Sequence, residues 1–420
     1  MQPSKPFAVR AAHCDHRAPE DTVFRTLERI TAPLSRSWAR LEAARLIAIK
    51  VNLVYSPDQI RCVNGRRQEL VDDVVLRSAL RLLRQRTTAR IVCSDTSQLA
   101  GGGDVFFKPL LREFGVDYIE CNDPPFAVYE PPGGGLMFRR YRLNPVFKQA
   151  DAVVSIATLK THAFMGVTLC TKNLFGLPPI NPGNRPRTYF HHVIRLPFVL
   201  ADLARIVQPC LNVIDGLVAQ TRREWGGDAR ITNTLVAGDH VIATDACAAT
   251  LMGNDPQADW PRPPFRRDRN HLRIAAESGF GTVDLGAIDF QHDLRAPVGE
   301  FDSEKTDPDE TVESWRRTMC EQALFYRDHR ERLLRDYAGQ YICLQAGHVI
   351  AHGADPIHGM TRRDLAGAHK EQAVWFKYVD PDDFEDERFE VYERELAALA
   401  GRSSDGRPRG SVRVCGCASE

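Results

Sequence analysis

The sequence predicts an α/β fold: a doubly wound domain on a mostly parallel or mixed sheet, followed by a small C-terminal α+β module. Short apolar runs rich in β-branched residues recur at Leu46–Val51, Ile91–Cys93, Val116–Ile119, Ala152–Ile156 and Leu211–Ile214. Stretches with apolar residues at helical spacing separate them, and such alternation builds a sheet covered by helices. At 420 residues, 43% hydrophobic and 26% charged, the chain can form more than one soluble unit with a core. The expected division is 1–300 for the α/β domain, 301–338 for a bridging helix, 339–382 for the small module, and 383–420 for a helix and mobile tail.

Phe7–Ala11 reads as an edge strand, followed by a helix from about Asp21 to Ile30 with Asp21 as its cap. His13, Cys14 and His16 are either surface polar residues or a metal cluster, and no second cluster at a ligand spacing accompanies them. Leu46–Leu53 is a strand on which Lys50 and Asn52 share one face. A lysine on an apolar strand needs a carboxylate or an anionic ligand. Tyr55–Arg67 reads as a loop, and Leu70 to Leu83 as a helix. The strand Ile91–Cys93 runs into Ser94, Asp95, Thr96 and Ser97, then Gly101–Gly103, then a helix from about Asp104 to Phe114. That order suits either anion binding or a plain connection. Val116–Glu120 is a strand, and Pro124–Gly135 a loop able to act as a lid.

The richest stretch is Ala150–Pro179. Its strand is apolar to Leu159 and hands over to Lys160, Thr161 and His162, a position where ligands sit in open α/β sheets. Gly166 breaks the chain, and a short helix from Val167 to Leu174 is expected to carry Thr168 and Lys172 on one face, with Asn173 beside them. Tyr189 to His192 open a helix to about Ile206, and at most one of His191 and His192 faces the site, because neighbours on a helix point about 100° apart. Asp215-Gly216 ends the strand Leu211–Ile214, Trp225 lies in a glycine loop, and Asp239 is placed to cap the helix His240–Met252, which contains Asp245. Further on, a helix from Val312 to Tyr337, a hairpin of Tyr341–Leu344 and His348–Ala351, a helix and a strand Val374–Tyr378 are expected. Cys415 and Cys417 lie in a polar tail.

The pattern K-T-H-x3-G-x-T-x3-K-N-x2-G, standing here as Lys160, Thr161, His162, Gly166, Thr168, Lys172, Asn173 and Gly176, resembles the signature of the domain of unknown function 362 family. Lys50-Val51-Asn52, Ser94-Asp95, His191, Asp215-Gly216 and Asp239 to Asp245 agree with it, over roughly Ala44 to Phe290. The resemblance selects His191 over His192. It also implies a looser likeness to lactate-racemase-like proteins, which suggests isomerase-type chemistry by analogy. Many relatives carry an iron-sulfur segment, but this chain has no C-x2-C-x2-C run to hold one, so the cofactor stays unknown. Residues Tyr337 to Val379 are similar to the small domain of unknown function 5678.

Lys plus Arg equals Asp plus Glu, 55 each, so no overall field favours nucleic acid, and a small ligand is expected instead. No run approaches the eighteen apolar residues of a membrane span, and an odd 11 cysteines suit a reducing compartment, so a cytoplasmic protein is expected, with homo-oligomers open. Three functions follow. The first is an enzyme acting on a small anionic molecule, a carboxylate, by acid-base or redox chemistry. Lys160, His162, Lys172 and His191 would be its catalytic groups, and Lys50, Asn52, Asp95, Thr161, Thr168, Asn173 and Asp215 its binding groups. The second is a metal or iron-sulfur redox protein using histidines, Asp95, Asp215 and cysteines. The third is a non-catalytic anion-binding protein.

Overall fold

The computed structural model describes residues 5–52, 60–96, 107–179, 186–355 and 374–401. The chain forms two compact units, Met1–Thr306 and Asp307–Glu420. The first is built on a nine-stranded mixed sheet. Its strands are β1 (Phe7–His13), β2 (Leu46–Val51), β3 (Arg90–Asp95), β4 (Asp117–Glu120), β5 (Ala152–His162), β6 (Gly166–Thr168), β7 (Leu211–Thr221), β8 (Asp228–Gly238) and β9 (Ile288–His292). Their order is β9-β1-β8-β7-β5-β2-β3-β4, with β6 added to β5. From β7 to β4 all neighbours run parallel, and β8 is antiparallel to both β7 and β1.

Every residue of β5 and β7 is buried, as parallel strands covered on both faces require. On one face Val154, Leu211 and Val213 pack in a cluster with Leu27 of helix α1 (Glu20–Thr31), Trp38, and Leu82 of helix α2 (Asp73–Arg86). Ser155 points the other way, because side chains alternate along a strand. There it meets the short helix α3 (Cys170–Asn173), through Asn173 and the Cys170 carbonyl. Helix α4 (Arg195–Val207) and helix α5 (Val241–Leu251) belong to the same unit.

Several boundaries differ from the sequence reading. Strand β1 is not an edge, because β9 pairs outside it. Pro19, not Asp21, is the N-cap of α1. Residues Cys62–Val63 and Arg66–Arg67 form a small hairpin within the expected loop. Asp239 does not cap α5. Its carboxylate accepts from Ala8 N at 2.9 Å and from Arg36, and His240 takes the cap. The stretch Pro124–Gly135 is no lid. Ala127–Tyr129 pairs with Tyr141–Leu143, and the Gly134 carbonyl accepts from Arg205 of α4 at 2.9 Å, so it is fixed to the body away from the cavity described below. The single helix expected from Tyr189 is two, Pro186–Phe190 and α4, because Ile194 turns at φ +74° and its N–H is held by Asp268.

The second unit is a three-stranded antiparallel sheet with Tyr341–Gln345 at its centre, between His348–Gly353 and Trp375–Tyr378. The hairpin turns through Ala346 and Gly347, both at positive φ. Helices Asp309–Asp328 and Glu390–Ala400 are joined by a buried Arg316–Glu395 ion pair of 2.6 Å. The long helix expected to Tyr337 breaks at His329. The Gly101–Gly103 loop, the loop after Pro179, the helix before Val374, and Cys415 and Cys417 lie outside the described residues. No helix among the described residues is long and apolar enough to cross a membrane.

Candidate functional site

Strand β5 outruns its neighbour. Val51, the last residue of β2, pairs with Ile156, so Lys160, Thr161 and His162 continue past the end of β2. They stay in strand conformation because β6 folds back on them, with Thr168 opposite Lys160 and Gly166 opposite His162. The three are therefore part of the strand rather than a loop after it, and Thr168 is strand rather than helix. Gly166 makes the reversal at φ +73°, where a Cβ would stand 2.9 Å from the Pro264 carbonyl oxygen. Helix α3 then delivers Lys172 and Asn173. Its first amides, Cys170 N and Thr171 N, donate to the buried Asp245 carboxylate at 2.9 and 2.7 Å. Burial pushes Asp245 up to about 7.

One cavity of about 330 Å³ opens at this end of the sheet, lined by Lys50, Asn52, Asp95, Lys160, His162, Thr168, Lys172, Asn173 and His191. Phe175, Gly176, Arg187, Glu224 and Trp225 complete its wall. It lies at the carboxyl ends of parallel strands, as in other open α/β sheets. Two predicted binding residues lie elsewhere. Thr161 points to the opposite side of β5 from Lys160 and His162, because side chains alternate. Asp215 sits inside β7, not at its end, and its carboxylate accepts from Asp72 N at 2.8 Å and Leu217 N at 3.1 Å.

The cations differ in how far the protein satisfies them. Lys50 spends its three donors on Asp95 at 2.9 Å, Asn173 Oδ1 at 2.8 Å and the Val51 carbonyl at 2.7 Å. Burial lowers the lysine and raises the carboxyl, while the three acceptors around the ammonium favour the charged pair. Asn173 is equally committed, since its amide also donates to Lys50 O, Ser155 Oγ and Ile156 O. These two side chains form a buried latch in the cavity wall. Gly176 passes so close that a Cβ there would meet Lys50 Nζ at 2.8 Å.

Lys160 donates to the Glu69 carbonyl at 2.8 Å and Asn52 Oδ1 at 3.3 Å, and its Nζ lies 4.6 Å from the Trp225 ring centroid. Burial lowers it to about 8. Lys172 has no hydrogen bond among the described residues, and its Nζ lies 4.5 Å from the Phe175 centroid. Burial, against the field of Glu224 and with Arg187 repelling, brings it to about 7. Arg187 stands 5.4 Å from the same ring, and its Nη1 is buried with no hydrogen-bond partner among the described residues.

His162 and His191 stack at 5.8 Å between centroids. Phe164 N and Met165 N donate to His162 Nδ1 at 3.0 and 3.2 Å, which places the ring proton on Nε2. Burial and then Lys172 hold both histidines well below the ordinary range, so both are neutral at physiological pH. Glu224 Oε2 accepts from Ala163 N at 2.9 Å. No group of three His, Cys, Asp or Glu that could hold a metal occurs among the described residues. His16 of the N-terminal cluster bonds Asn233 at 2.9 Å and Asn64 at 3.0 Å.

Arg187, Glu224 and Trp225 were not picked out as site residues from the sequence. Arg187 falls in the stretch from Ile180 to Arg187, which reads as a proline and asparagine loop. The other two lie in the β7–β8 turn, where a tryptophan beside two glycines was the available signal.

Residues 47–250 match the family model described as Domain of unknown function (DUF362). A thylakoid-associated protein of Synechocystis sp. is 26% identical over 156 residues, 36% of this chain and 46% of that protein. The chain thus spans about half the length of this curated relative. The lactate racemase apoprotein from Thermoanaerobacterium thermosaccharolyticum aligns over 51% of this chain and 50% of its own, with 15% identity and a TM-score of 0.30. That score is too low to bear on fold or function.

Proposed function

Residues 47–250 belong to the domain of unknown function 362 family, and from that premise we propose that the protein is an enzyme moving a proton on a small carboxylate. One observation carries the reading: among the described residues that line the cavity, Lys160, Lys172 and Arg187 stand with two neutral imidazoles and one acid, Glu224, beyond the Lys50–Asp95 pair. Cations gathered with so little compensation call for an anion.

The residues divide the work. Lys172 and Arg187 hold the carboxylate, the guanidinium by two parallel N–H donors. His191 is the base. It is neutral, none of its ring nitrogens is hydrogen-bonded to a described residue, and it faces the cavity. The bound anion offsets the field of Lys172 and so raises the basicity of His191 where it is needed. His191 takes a proton from the carbon beside the carboxylate, and the electron pair moves onto the carboxylate oxygens. Lys172 and Arg187, which hold those oxygens, stabilise that charge, and the His162 Nε2–H and the Lys160 ammonium face the rest of the molecule. The proton then returns from the imidazolium to the carbon, so that the bond broken is re-formed.

The test needs no assumed substrate. The protein is incubated in deuterium oxide with a panel of small carboxylates, and exchange of carbon-bound hydrogen is followed by NMR. Exchange with at least one member that His191→Phe abolishes supports the reading. Stoichiometric binding without exchange across the panel assigns the protein to non-catalytic anion binding instead.

A further inference from the structure

We propose that the natural ligand of this cavity is a dianion whose two charges are separated, a small dicarboxylate; the inference rests on the anion-site reading above. Charge balance comes first. Lys50 and Asp95 neutralise each other at 2.9 Å. Glu224 is the one further acid among the described lining residues, so Lys160, Lys172 and Arg187 leave a surplus of two positive charges in the lining, while Glu69, itself paired with Arg61 at 2.7 Å, and Glu120 act on Lys160 and Arg187 from outside it. A monoanion leaves one of these uncompensated in a poorly solvated site, and a dianion leaves none.

The placement of the cations argues for two separated charges rather than one compact group. Lys172 and Arg187 stand over the same ring, Phe175, at 4.5 and 5.4 Å. Together they offer one pole, with a buried Nη1 that has no partner among the described residues. Lys160 stands at another ring, Trp225, at 4.6 Å. Two of its three N–H groups are occupied, by Glu69 O and Asn52 Oδ1, and the third has no acceptor among the described residues. His162 lies two residues along the same face of β5, roughly 7 Å away, and brings a neutral imidazole into the field of both Lys172 and Lys160. His191 adjoins the first pole, 5.5 Å from Phe175, and lies 5.8 Å from His162 between centroids. A carboxylate at the first pole therefore places its adjoining carbon beside His191, where the base is required.

The protonation of the site supports the count. Burial holds Lys172 near 7 and Lys160 near 8, and a dianion stabilises the charged form of both.

Calorimetric titration of the full chain at about pH 6.5, where both lysines carry charge, tests this. The probes are malonate and succinate as dicarboxylates, acetate and propionate as monocarboxylates, and sulfate as a compact dianion. Malonate or succinate binding at least roughly tenfold more tightly than either monocarboxylate, and than sulfate, supports the proposal. Arg187→Gln and Lys160→Gln should each weaken the dicarboxylate more than the monocarboxylate, and the wild-type ligand series stands even if one variant fails to fold. Sulfate outranking the dicarboxylates would overturn the two-pole arrangement. Equal binding of mono- and dicarboxylates would overturn the dianion while leaving the carboxylate enzyme standing. No anion binding by a chain that melts cooperatively would overturn both.

Discussion

Lys172 and Lys160 lose their charges in different pH ranges, and that gives the site a pH signature. The binding form is the cation, and the free-enzyme values of about 7 and 8 govern kcat/KM. The specificity constant for exchange should therefore fall as pH rises through about 7, and fall again through about 8. The acidic limb, set by His191, should appear well below pH 6.5. Lys172→Arg keeps its charge and should remove the first fall. Lys172→Met should lose at least roughly tenfold in affinity for the carboxylate while melting no earlier than the parent, because it removes a poorly compensated cation. Val153→Ala is the counterpart. It truncates a buried strand residue and should cost about 1–3 kcal/mol of stability in a denaturant melt, with affinity unchanged. Lysines and histidines beside an apolar strand stood out in the sequence because such groups rarely go inside without a reason. Whether each is free or spent did not. Lys50 and Lys160 read alike along the chain, and only the fold shows that Lys50 is saturated by Asp95, Asn173 and its neighbour's carbonyl.

At the scale of elements, α3 is four residues long, too short to hold itself in place, and Asp245 fixes it through Cys170 N and Thr171 N. Asp245→Ala leaves two buried amides unpaired. It should lower stability by about 1–3 kcal/mol and also weaken the carboxylate, since Lys172 rides on α3. A melt beside a binding titration reads both, and normal affinity in the destabilised variant would separate α3 from the site. Gly176→Ala places a methyl against Lys50 and Asp95 and should disturb the latch, with a lowered Tm as the readout. The strands were visible in the sequence as apolar β-branched runs, but their lengths were not. The polar ends of β3, β5 and β7 look like loops in one dimension and are strands because a neighbour pairs with them, β6 in the case of Lys160. Asp239 is similar. Its position before a helix suggests a cap, and the proximity of Ala8 and Arg36, set by tertiary structure alone, takes it elsewhere.

The first unit as a whole is a sheet buried on both faces that exposes its polar surplus at the carboxyl ends of β2, β3 and β5, and this follows from strand order more than from any one motif. The convergence of residues from Lys50 to His191 could be reasoned from strand ends, whereas Glu224 and Trp225 arrive through the antiparallel β7–β8 pair, a connection that local sequence does not announce. Because ligand binds only the folded chain, a carboxylate held at about a hundred times its Kd should add about 2.7 kcal/mol of stability, visible as a rise in Tm. The most direct measurement of the central claim is proton uptake on binding. A dicarboxylate is titrated calorimetrically at about pH 7.5 in two buffers of different ionisation enthalpy. Different heats are expected, corresponding to net uptake of protons, because the anion recharges Lys172 and Lys160 from their lowered values near 7 and 8. Equal heats in the two buffers, with binding intact, would contradict it.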